Sequence, residues 1–217
     1  MKTHPSAPIL RLYLIRHGEV EDGYQKAFGG SRIDMALSPL GHQQAAALAD
    51  WFGDRKMDAV FASPMQRVRQ TMAPLLARRG VEPTLLDDLR EVDFGDWTGF
   101  RWEEVRERFG VDAPNWLHVL QYPGLPNGES AAMLLERVRP CVDRMLGEIP
   151  SGSAAIFCHG GIVRAILAIL LGMRFPEIGS FRIDYGSVTT VELRMEKSRA
   201  AAVELLNFCP ADVLRTR

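Results

Sequence analysis

The sequence predicts an α/β fold: a mostly parallel sheet with helices against both faces and a mixed or antiparallel edge. Two patterns predict it. Strand-length apolar runs alternate with segments of helical periodicity from residue 9 to about residue 171, and the remaining chain supplies strand candidates joined by short turns. Composition agrees, since 47% of the 217 residues are hydrophobic and 24% are charged. A chain of this size forms one large domain or at most two small ones, and buries roughly 70% of its unfolded surface without staples.

Residues 9–15 ("ILRLYLI") read as the first strand. Leu40, Ala47, Leu48 and Trp51 then recur at helical spacing over 39–52. "DAVFA" at 58–62 is a short strand, followed by Ser63 as a helix cap and Pro64 as a first helical residue. Met65, Val68, Met72, Leu75 and Leu76 make the buried stripe of a helix ending near residue 79. Residues 81–86 are a further strand candidate, and a long helix runs from about 129 to 147 with Leu134, Val138, Cys141, Val142 and Met145 on one face. "SAAIFC" at 153–158 reads as a strand, then Gly-Gly and the almost wholly apolar helix "IVRAILAILLG". Residues 180–185, 187–194 and 201–207 are the last strand candidates.

Ligands of such sheets bind where strands end and helices begin. Three strand ends here carry unusual residues: Arg16-His17-Gly18, Ser63 to Arg67, and Cys158-His159-Gly160-Gly161. An apolar run that stops on an arginine and a histidine is odd for a buried strand, unless its end opens into an anion site. Arginine's planar fork matches phosphate oxygens, and glycines at a helix start leave backbone N–H groups free for an anion. Histidine is nucleophilic near neutral pH, with its second nitrogen fixed by an acceptor. Together these residues suggest in-line attack by one histidine on phosphorus, a second histidine steadying the equatorial oxygens, and a carboxylic acid protonating the leaving alkoxide.

Other classes are disfavoured. Twenty-six Lys and Arg against 27 Asp and Glu give a net charge of −1, which offers no bulk basic charge for nucleic acid. Cys141, Cys158 and Cys209 are odd in number and widely spaced, so a disulfide framework or thiolate zinc site is not expected and a reducing compartment is. No run approaches 18 apolar residues and the start lacks an apolar signal core, so the expectation is a cytoplasmic protein with no membrane partner, a loose tail over 1–8 and a single domain over 9–217.

"LIRHGE" resembles the signature of the histidine phosphatase superfamily, the phosphoglycerate-mutase-like fold. "LSPLGHQQAAAL" (37–48), "ASPMQRVRQT" (62–71), "LREVDFGDWTG" (89–99), "PNGES" (126–130) and "CHGGIVRAIL" (158–167) resemble further family blocks, in the family's order and over nearly the whole chain. The resemblance implies a three-layer α/β/α sandwich with a mostly parallel mixed sheet. It makes His17 the phosphorylated nucleophile, completes the phosphate pocket with Arg16, Arg67 and His159, and makes Glu91 the proton donor. The branch uses no metal, and no cofactor is implied. Family members carry Thr and Asn where this chain has Val20 and Gly23, so a polar contact is missing there or is supplied by the backbone of Gly29 or Gly30. The substrate-binding set is completed by Gly18, Gly23 and Gly160.

Plainer readings stand beside these. His4, His42 and His118 read as surface residues, Phe94 and Trp97 as packing, and Glu91 has a structural ion pair as its alternative. Cys158 to Arg164 also fits C-x5-R, a thiolate phosphate loop. That reading puts Phe157 where a histidine belongs and leaves Arg16, His17 and Arg67 unexplained. Residues 109–128 contain no Lys or Arg, whereas mutases of the family carry extra basic residues there, so hydrolysis of a small phosphorylated metabolite is favoured over phosphate shuttling. Trp116, Leu117, Leu120 and Tyr122 in that segment form either a lid over a sugar or nucleoside-like group or plain core packing. "PNGES", "SFRIDYGSV" and "VELLNF" look most like α-ribazole phosphatases, with sugar phosphates as the other substrate class. A phosphoglycerate-type mutase and a weakly catalytic phospho-ligand binder are the alternatives, and the oligomeric state is monomer or homodimer.

Overall fold

The computed structural model describes residues 8–194 and 200–215. Six strands form one sheet: β1 (Ile9–Arg16), β2 (Ala59–Ala62), β3 (Thr84–Leu85), β4 (Gly152–Cys158), β5 (Val188–Arg194) and β6 (Ala200–Phe208), in the order β3-β2-β4-β1-β5-β6. The pairs among β1 to β4 are parallel, and β5 runs antiparallel to both β1 and β6. The sheet is therefore mostly parallel with an antiparallel edge.

Alternation along β1 sorts side chains to two faces. Leu10, Leu12 and Leu14 join a core with α5 (Ala131–Glu148) and α6 (Gly160–Leu171), while Tyr13 and Ile15 join one with α1 (Pro39–Phe52) and α2 (Gln66–Arg79). These are the three layers. Two short helices, α3 (Trp102–Phe109) and α4 (Trp116–Gln121), lie between β3 and α5, and α7 (Pro210–Arg215) packs beside α1. Among the described residues no helix is long and apolar enough to cross a membrane. The tail expected over 1–8 lies, apart from Pro8, outside the described residues, as does His4.

The elements correct three expectations. The strand at 81–86 shrinks to Thr84–Leu85, because Pro83 has no N–H to give a ladder and only Phe61 and Ala62 are there to pair with. The helix after Ser63 begins at Gln66, and Ser63 does not cap it. The backbone N–H of Gln66 is satisfied instead by Asp34 Oδ1 at 2.7 Å, while the Ser63 hydroxyl turns to His159. Residues 180–185 are not a strand. Their carbonyls at Phe181 and Ile183 accept hydrogen bonds from Arg164 and Arg16, and the N–H of Asp184 donates to Asn207, so no neighbouring strand is needed.

Candidate active site

Parallel pairing of β1 with β4 places Arg16 opposite Cys158, so the residues that follow each strand are neighbours. The backbone N–H of His17 donates to the Cys158 carbonyl at 3.0 Å. The ring centroids of His17 and His159 lie 5.1 Å apart. The helices following these strands go to opposite faces of the sheet, and that divergence opens a crevice at the strand ends. It forms a cavity of about 350 Å³ bordered by Arg16, His17, Arg67, Glu91, Gly160 and Arg164 among others.

His17 is held by contacts that leave one nitrogen for chemistry. Nδ1 lies 2.8 Å from the Gly18 carbonyl, an acceptor only, so Nδ1 carries the proton and Nε2 the lone pair. Nε2 accepts from Arg67 Nε at 3.3 Å. Burial, then the charges of Arg67 and Arg16, hold this imidazole well below the ordinary histidine range, so it is neutral. The loop behind it is fixed by a backbone crossing. A β-carbon on Gly18 would lie 2.6 Å from the Gly41 carbonyl oxygen, and one on Gly41 would lie 2.1 Å from that of Glu19. The Gly18 N–H donates to Thr71 Oγ1 at 2.9 Å, which ties the loop to α2.

Arg67 is 2% exposed and spends its other donors on the carbonyls of Ile33 (3.1 Å) and Gly30 (2.9 Å). Burial lowers its guanidinium to about 10. Arg16 Nη1 donates to the Ile183 carbonyl at 2.7 Å, and its guanidinium carbon lies 3.8 Å over the Tyr185 ring. His159 is fully buried, with Nε2 at 2.9 Å from Ser63 Oγ. Burial, Arg67 and His17 keep that ring neutral as well. Glu91 faces the start of α6. Its Oε1 accepts from the Val92 N–H at 3.0 Å and the Gly161 N–H at 3.1 Å, and a β-carbon at 161 would sit 2.5 Å from that oxygen. Only glycine lets the carboxylate approach so closely.

All five residues read as catalytic thus converge. The glycines divide. Gly29, Gly30 and Gly160 line the cavity. Gly18 lies behind it in the crossing, and Gly23 is exposed in a turn that does not border it. The Gly30 carbonyl faces Arg67. The segment read as a lid divides too: Trp116 borders the cavity, Leu117 and Leu120 are core, and Tyr122 is exposed. Trp97 is core packing as expected, whereas Phe94 both packs and borders the cavity.

Three neighbours of the site were not singled out for it. Arg164 lines the cavity from α6 and donates to the carbonyls of Gly160 (3.0 Å) and Phe181 (3.1 Å), and burial followed by the charge of Arg16 lowers it to about 10. Its signal is a lone cation in an apolar helix. Ser63 carries no signal beyond its place after β2, and Tyr185, which lies ahead of β5, carries none. Cys158 is fully buried in the core, where burial and Glu91 push its thiol well above the ordinary range, so no thiolate stands ready for the C-x5-R reading. The buried Nε atoms of Arg16 and Arg164 and Nδ1 of His159 have no hydrogen-bond partner among the described residues. Among the described residues no group of three or more His, Cys, Asp and Glu is disposed to hold a metal ion.

The model of the histidine phosphatase superfamily (branch 1) matches residues 12–206. Phosphoserine phosphatase 1 of Hydrogenobacter thermophilus is 28% identical, with 93% of this chain and 94% of that protein covered. The 2,3-bisphosphoglycerate-dependent phosphoglycerate mutase of Methylorubrum populi is 31% identical over 85% of this chain and 90% of its own. Among solved structures, the α-ribazole phosphatase of Shigella flexneri superposes with a TM-score of 0.79 at 26% identity, covering 91% of this chain and 96% of that one.

Proposed function

The chain belongs to the histidine phosphatase superfamily and is a phosphatase of small phosphorylated metabolites, and on that premise we propose that its reaction runs through a phosphohistidine at His17. The observation that carries this assignment is the state of His17: neutral, with Nδ1–H committed to the Gly18 carbonyl and the Nε2 lone pair engaged by the Arg67 Nε–H, a donor that an arriving phosphoryl group can take over.

Arg67 leaves Nε2 for the arriving phosphoryl dianion and, with Arg16, balances its charge. Nε2 attacks phosphorus in line, the P–O bond to the leaving group breaks, and Glu91 gives that oxygen its proton. The positive charge formed on the imidazole is held by the Nδ1–H bond to the Gly18 carbonyl. His159, with Ser63 donating to its Nε2, offers the proton of Nδ1 to an equatorial oxygen. Glu91, now a carboxylate, takes a proton from water, which attacks the phosphohistidine and returns His17 neutral with inorganic phosphate. Residues 9–217 act in this reading as one domain.

The α-ribazole branch is the finer reading, supported by "PNGES" and "SFRIDYGSV" and by the Shigella flexneri structure. The test is acid-quench trapping with a phosphorus-labelled monoester, comparing wild type with His17→Ala. Acid-labile, base-stable label on the wild type alone is expected. Label that survives acid, or undiminished turnover in His17→Ala, would remove His17 from this role.

A further inference from the structure

The arginines, His17 and Glu91 account for only part of the cavity's lining, and the rest has a different chemistry. Trp102 and Trp116 border it from the α3–α4 segment, beside Phe94 and Tyr24. Of the large apolar side chains exposed among the described residues, Trp102, at 43%, is the one that lines this cavity. It is exposed but not loose. Its backbone N–H donates to the Lys26 carbonyl at 2.9 Å, its neighbour Arg101 bridges to Ala27, and the Glu104 carboxylate accepts from the Arg101 N–H at 2.7 Å. Lys26 holds this corner with a φ of 55°, a conformation few non-glycine residues adopt. Trp116 is fixed edge-on against Phe94, with ring centroids 5.4 Å apart.

With its backbone tied down, Trp102 leaves much of its indole open to solvent at the cavity, apolar area a ligand can cover. We propose that Trp102, with Trp116, forms a stacking wall that selects phosphomonoesters whose leaving group carries a flat ring, a reading that rests on the phosphatase activity above. Charge at the mouth agrees. Beyond Arg16, Arg67 and Arg164, the cavity is lined by Arg182, already paired with Asp184 at 2.8 Å, and by Lys26, so Lys26 is the cation left beside Trp102 for a second anionic group. The ring recognised is a neutral or weakly charged one.

The test compares 2-phenylethyl phosphate with n-butyl phosphate, two primary alkyl esters whose leaving oxygens are of similar basicity, and adds phosphoserine. The ring-bearing ester should be preferred on the order of tenfold in kcat/KM, mostly through KM. Trp102→Ala should bring that ratio to within about twofold, and Trp102→Phe should keep most of it. Equal use of the two alkyl esters by wild type, a ratio untouched by Trp102→Ala, or a preference for phosphoserine would overturn the proposal. If no monoester is turned over, the phosphatase reading has failed on its own. Calorimetric binding of 2-phenylethylphosphonate against butylphosphonate then decides the stacking wall: a tenfold gap lost in Trp102→Ala supports it, and equal binding overturns it.

Discussion

Lowering the pH from 7 to 5 is expected to destabilise the fold through two side chains, by an amount that reaches about 4 kcal/mol when neither takes up a proton in the folded state. His17 and His159 are both buried, and burial, with Arg67 and Arg16 nearby, holds each folded imidazole well below the 6.5 of an exposed one. In the unfolded chain both rings take protons below 6.5, and in the folded protein they do so only at a lower pH. Below that value the unfolded state binds more protons, so stability is fully present above 6.5 and falls as the pH drops. Each ring contributes about 1.4 kcal/mol per pH unit, which comes to about 2 kcal/mol by pH 5 after allowing for the gradual start of titration. The assay is urea unfolding at half-unit steps between pH 7.5 and 5, before most carboxylates titrate. His159→Asn should give about half the wild-type slope. A flat wild-type profile would refute the reasoning, because the rings would then titrate normally in the folded protein and Nε2 of His17 would not be kept unprotonated by its surroundings.

Three further perturbations separate the roles of neighbouring groups. Arg67→Met removes a charge whose burial, lowering the guanidinium from 12.5 to about 10, corresponds to about 3 kcal/mol, and frees the Ile33 and Gly30 carbonyls at about 1–3 kcal/mol each. Stability in urea should therefore change by no more than about 3 kcal/mol while kcat/KM falls about 10²- to 10³-fold, and a variant that cannot fold would make Arg67 structural. Glu91→Gln should slow alkyl esters more than p-nitrophenyl phosphate, because only the poor leaving group needs a proton; equal slowing would end its role as acid. Gly41→Ala drives a methyl group into the Glu19 carbonyl, and should cost about 1–3 kcal/mol in thermal or urea unfolding and lower kcat/KM at least about tenfold by moving the His17 loop. A wild-type midpoint would show that the crossing is slack.

The sequence revealed the site where it interrupted its own pattern. Arg16 and His17 end an apolar strand, His159 ends another, and parallel pairing of those two strands brings the histidines into contact. Arg67 was legible as a cation just inside a helix after a strand end. The family blocks supplied Glu91, which no periodicity marks. Ser63 was misread because serine before proline is a common cap, and only the fold shows Asp34 taking that duty from another loop. Residues 180–185 alternate like a strand, yet their backbone partners are arginine side chains remote in sequence, and local pattern carries no trace of that. Gly23 was placed by counting from His17, and in the structure Val20 and Tyr24 on either side of it border the cavity while Gly23 itself is exposed to solvent.

The unpartnered Nε atoms of Arg16 and Arg164 bear on how this protein behaves in a test tube. Guanidiniums gathered around one cavity repel each other until an anion enters, so the proposed mechanism makes inorganic phosphate, the product of the reaction, a ligand of the native state as well. At a hundred times its dissociation constant such a ligand adds about 2.7 kcal/mol of apparent stability. Melting temperatures taken in phosphate and in a non-coordinating buffer would then describe two different thermodynamic species. The same occupancy that protects the fold would also throttle turnover as product accumulates, linking shelf life and inhibition through one binding constant.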